Sequence, residues 1–182
     1  MRKLMTLAMA LVVLAGVFCG GKTGSQAPAT VEKFPVEATS ALTDEAIVQL
    51  VKTLPAFSAA LKAGNWTPTQ RKEDDGPVTA LTSFVEGMNV PGVDDSLKKA
   101  GSSWGEVRPT LYKVFAASAA LSIDAASPQA IEQMKKDTSA PAKKTLKGYE
   151  AFKAACSQIP AENKRVLAKH QQELQLLYSL GR

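Results

Sequence analysis

The chain has 182 residues, 45% of them hydrophobic and 21% charged, which suits one globular domain plus a short extra segment and excludes a disordered polypeptide. Aromatic residues make up only 6%, so the core is expected to be aliphatic. The formal charge is +5, but Arg2 and Lys3 supply two of those cations, and a chain beginning at Cys19 carries only +3, too little to call for nucleic acid or another polyanion.

Residues 1–3 form a short cationic segment, residues 4–18 an uncharged apolar run, and Cys19, Gly20 and Gly21 a patch of small residues. That order is the layout of a signal peptide over residues 1–18. The positive end stays cytoplasmic while the apolar stretch enters the membrane as a helix. The run is shorter than the roughly 20 residues a spanning helix needs, so a cleaved export signal is expected ahead of a retained anchor. The same region spells Gly16-Val17-Phe18-Cys19-Gly20-Gly21-Lys22-Thr23, which satisfies the phosphate-loop pattern GxxxxGK[ST]. Such a loop needs a buried strand before it and a helix starting at its Lys-Thr pair. Here Gly24, Pro28 and Pro35 follow, and no strand–helix–strand rhythm appears. No nucleotide is therefore expected to bind.

Cys19 stands where the apolar run ends, ahead of a stretch rich in Gly, Ser, Ala, Thr and Pro. In this the segment resembles a bacterial lipoprotein signal. The resemblance implies cleavage before Cys19, a lipid on its sulfur, and attachment to a membrane of the cell envelope. The residues before it, Gly16, Val17 and Phe18, depart from the Leu, small, Gly-or-Ala pattern of that family. Val13 and Ala15 meet the small-residue rule of ordinary signal peptidase, so cleavage after Ala15, giving a periplasmic or secreted protein, is the rival. Residues 19–41 read as the lipidated Cys and a flexible linker, and residues 42–182 as the folded domain. A second reading lays residues 31–36 extended against that domain.

The domain reads as helices. Thr43 is an N-cap, followed by Asp44 and Glu45 at the positive end of the helix dipole. Ile47, Leu50, Leu54, Phe57 and Leu61 then mark one buried face, Pro55 is expected to kink or split the run, and Gly64-Asn65 to end it. A helix opens at Asp75-Gly76-Pro77 and runs to Met88, and a short one spans 93–100, closed by Gly101. Ser103 to Glu106 reads as a reciprocal capping box, leading a helix with Trp104, Val107, Leu111, Val114 and Leu121 along one side. Ser127-Pro128 starts another, Pro141 separates it from the next, and Pro160 restarts the chain as one last helix closed by Gly181. No stretch alternates with period two. The expected fold is all-α: an irregular bundle of about six or seven helices.

Charge is uneven along this domain. From residue 125 onward there are ten basic and five acidic side chains, with Lys dominant and no aromatic interleaving of the kind that stacks bases, so this reads as a solvated face. Anionic lipid headgroups or an acidic partner are the lesser reading.

Chemistry-bearing residues are sparse. His170 is the single histidine, so no Cys/His zinc site or two-histidine iron site can form, and a hydrogen-bonded structural role is expected of it. Cys156 falls on an apolar stripe and reads as a buried, inert thiol. Glu73-Asp74-Asp75 and Asp94-Asp95 read as solvated loop charge, without the spacing of a calcium loop. Trp66 is the best candidate for an exposed recognition residue. The expected function is non-catalytic: a tethered module meeting an envelope protein or polymer, with no cofactor and no metal. The alternative is an envelope enzyme or cofactor carrier, which would need a pocket bringing Trp66, Glu73 and His170 together.

Overall fold

A computed structural model describes residues 32–68 and 75–180. Nine helices run through them: α1 (Val36–Thr39), α2 (Asp44–Ala63), α3 (Pro77–Gly87), α4 (Val93–Lys99), α5 (Trp104–Asp124), α6 (Pro128–Lys136), α7 (Ala140–Cys156), α8 (Ala161–Lys169) and α9 (Gln175–Tyr178). The fold is all-α, an irregular bundle, with no strand among the described residues.

α5 is the axis of the bundle and packs against α1, α2, α3, α4, α7 and α8. Its buried residues are not confined to one stripe. Val107, Leu111 and Val114 are joined by Thr110, Tyr112, Ala116, Ala117, Ala120 and Ile123, which lie on other sides. A helix buried most of the way round belongs at the centre, and the run of alanines leaves room for neighbours to approach closely. α6 is the opposite case. It has no buried residue and leans chiefly on α7 at the edge of the molecule.

Local signals place most of the boundaries. The Thr43 hydroxyl accepts the Ala46 amide at 3.2 Å to start α2. α2 ends in a paired turn: Asn65 N–H donates to Lys62 and Trp66 N–H to Leu61, with Asn65 left-handed at φ 50°. α4 ends the same way, with Gly101 at φ 80° and the Ser102 amide returning to Leu97. Ser127 and Ser139 cap α6 and α7, each followed by a proline in the first turn.

Four expectations are corrected. The domain does not wait for residue 42: Phe34, Ala38 and Leu42 are buried, and Phe34 lies 6.3 Å from Phe152 of α7, so residues 32–41 belong to the fold rather than to the linker. Pro55 does not split α2. It removes one amide donor, while Leu54, Phe57, Ser58 and Leu61 around it are all buried, and that packing outweighs the lost bond. The capping box of α5 is only half made, because Ser103 accepts the Glu106 amide but the Glu106 carboxylate turns to the Ser102 hydroxyl, 3.0 Å away. The last helix is broken. α8 stops at Lys169, residues 170–174 form turns, and α9 restarts at Gln175 so that Leu174 and Leu177 reach the core.

Candidate functional site

Among the described residues, one cluster of paired polar side chains surrounds His170. This residue ends α8 and is buried. Its Nε2 lies 2.6 Å from Asp44 Oδ1, in the first turn of α2, and its Nδ1 lies 2.8 Å from Glu173 Oε2, in the turn before α9. Lys169 Nζ shares the same Asp44 oxygen at 3.0 Å. A neutral imidazole has one N–H, so bonding to two carboxylates is completed only by the cation. Hydrogen bonding to Glu173, then to Asp44, raises the imidazole pKa above its ordinary value, against the opposing effect of burial. The bond to His170, then that to Lys169, lowers the Asp44 pKa. Among the described residues both ring nitrogens meet carboxylates, so the arrangement is a charge clamp between chain segments.

A second network joins α1, α3 and α5. Arg108 reaches Glu37 at 3.4 Å and Glu86 at 3.2 Å, and the Tyr112 hydroxyl donates to Glu86 at 2.5 Å. Burial first, and the Glu86 carboxylate second, push the Tyr112 hydroxyl well above its ordinary pKa. That phenol stays neutral and is not a base.

A concavity of about 460 Å³ opens between the end of α5, α6 and α7. Ile123, Ile131 and Tyr149 give it an apolar floor. Of the charges on its rim, Asp124 is paired with Lys164 and Glu132 with Lys135. Neither Trp66 nor His170 lines it.

Trp66 is not the exposed platform expected of it. As the residue that closes the α2 turn it is held half-buried, its ring 5.5 Å edge-on from Phe84, which in turn meets Phe115 at 5.3 Å. Its indole N–H is enclosed without an acceptor among the described residues. Trp104 packs on Phe57 at 6.1 Å. Cys156 is buried, and its thiol is pushed up to about 12, first by burial and then by the Asp124 charge. Asp94 is not loose loop charge: it sits in α4, pairs with Lys98 at 2.6 Å and accepts the Trp104 amide at 2.8 Å, thereby helping to cap α5. Cys19, the phosphate-loop pattern over residues 16–23, Glu73 and Asp74 lie outside the described residues. No group of three or more His, Cys, Asp or Glu able to hold a metal ion occurs among the described residues.

Sequence reasoning identified His170 as structural but missed both its partners, which α2 and the final turn supply. Asn163 was missed entirely. It is fully buried, accepts the Leu42 amide at 2.8 Å and donates to the Ser40 carbonyl at 2.8 Å. Comparison with protein-family models, with curated proteins and with solved structures finds no match.

Proposed function

We propose that this chain is an exported envelope lipoprotein, held to a membrane through lipid on Cys19, whose helical domain works by binding a protein or polymer rather than by catalysis. The observation that carries the reading is the order of residues 1–21: cationic start, apolar run, and a cysteine among small residues where the run ends. The non-catalytic half draws support from the state of the reactive groups. His170 has both ring nitrogens committed to carboxylates, the Cys156 thiol is buried and held neutral, and the Tyr112 hydroxyl is bonded to Glu86.

Metabolic labelling with palmitate, compared between wild type and Cys19→Ala, tests the anchor. Label on the wild type that disappears in the variant supports it. An unlabelled wild-type protein whose mature chain begins at Gly16 replaces it with the soluble periplasmic or secreted form. Crosslinking in intact cells, followed by identification of the captured species, tests the binding role.

A further inference from the structure

The first of the described residues are fastened to the domain at a definite place. The Glu32 carboxylate accepts the Val78 amide at 3.0 Å and the Thr79 hydroxyl at 2.7 Å, pinning the incoming chain to the first turn of α3. Two residues later Phe34 packs on Phe152 of α7. The chain therefore joins the domain at the seam of α3 and α7, two helices that pack together. Around that root Lys33 is exposed, and Val36 is 82% exposed, the most open large apolar side chain among the described residues.

α7 carries Lys143, Lys144 and Lys147, all exposed and none ion-paired with a described residue; Glu150 is the one acidic residue on this helix. They lie five to nine residues from Phe152, no more than about 14 Å along the helix axis. Thirteen peptide links separate Cys19 from Glu32, a span of at most about 45 Å when drawn out straight. A domain of this size is about 40 Å across, from a radius of gyration near 15 Å. A link that short favours turning the α3–α7 face toward whatever holds Cys19.

We propose that the exposed lysines of α7, together with Lys33 and Val36 near the point where the chain enters the domain, rest on anionic lipid headgroups of the membrane to which the chain is tethered. This rests on the lipoprotein reading above. Short reach supplies the proximity, and unpaired lysines supply the attraction, which acts within a Debye length of a negatively charged surface. Val36 supplies an apolar contact at the interface.

The test uses the mature protein, extracted from the envelope with its lipid, on vesicles of pure phosphatidylcholine and on vesicles with roughly 30% phosphatidylglycerol. Lysines are acetylated with limiting reagent and quantified by mass spectrometry, with Lys52 and Lys62 of α2 as references. On the anionic vesicles Lys143, Lys144 and Lys147 should react about threefold more slowly than on neutral ones, relative to the references, and about 0.5 M salt should abolish the difference. Protein that floats with both vesicles yet shows equal rates overturns the docking face while leaving the tether intact. Protein that floats with neither overturns the tether and this proposal with it. Slower labelling with soluble heparin but not with anionic vesicles also overturns it, and points to a polymeric partner.

Discussion

His170 Nε2 and Asp44 Oδ1 lie 2.6 Å apart although 126 residues separate them, and this contact fastens the final turns of the chain to the first turn of α2. Glu173 on the other ring nitrogen makes the imidazolium the shared proton donor of both segments. The charged groups facing it are Asp44, Glu173 and Lys169, with the Glu162–Arg165 pair further along α8.

The clamp has a defined pH window. Because the folded-state pKa of His170 is raised, its contribution is fully present below the ordinary value of 6.5 and is lost as pH climbs through the raised value. Because that of Asp44 is lowered, its contribution is fully present above 3.8 and is lost as pH falls through the lowered value. The clamp is thus strongest between these limits. His170→Gln should lower the melting temperature by about 3–6 °C at pH 6, and by progressively less as pH climbs and the wild type loses the second bond. Melting curves of both proteins from pH 5 to pH 9 check this, and parallel curves would contradict the clamp.

Asn163 is expected to be the most sensitive polar position. Asn163→Ala leaves the Leu42 amide and the Ser40 carbonyl without partners in a buried place, at a cost of about 1–3 kcal/mol. Asn163→Asp keeps the acceptor for Leu42 but sets a carboxylate oxygen against the Ser40 carbonyl, so it should destabilise as well. Urea unfolding of the three proteins measures both effects, and an unchanged midpoint for either variant would show the cross-link to be idle.

What could be read in the sequence was local. The Thr43 cap, the Gly64-Asn65 stop and the Ser127-Pro128 start each need only neighbours within a few residues, and each stands where expected. The contacts missed are those between distant segments: Glu32 with Val78, Asn163 with Leu42, His170 with Asp44. No spacing rule links such pairs. The break after Lys169 was hidden for a related reason. No Gly or Pro marks it, and its cause is the pull of Asp44 and Glu173 on one side and the burial of Leu174 and Leu177 on the other. Trp66 misled because its polar flanks predict exposure, whereas the turn closing α2 points it inward.

Trp66 gives a prediction of opposite character. Phe keeps an aromatic edge against Phe84 and removes the enclosed N–H, so Trp66→Phe should cost less than about 1 kcal/mol. Trp66→Ala removes the contact altogether and should cost about 2–3 kcal/mol. If both variants lose equal stability by chemical denaturation, the indole N–H has a partner that matters. If neither loses any, the ring does not pack as described.

Gly76 and Glu32 should behave as a coupled pair. A Cβ at Gly76 would lie on the Glu32 carboxylate, which already caps α3 through Val78 and Thr79. Gly76→Ala therefore acts chiefly by evicting the cap, and Glu32→Ala removes the same cap directly, each at a cost of about 1 kcal/mol. The double variant should be scarcely less stable than either single one, because the second change has no cap left to displace. A double-mutant cycle by urea unfolding reads this as a coupling close in size to one single effect. Full additivity would mean that the two residues act separately and that Glu32 does not hold the start of α3.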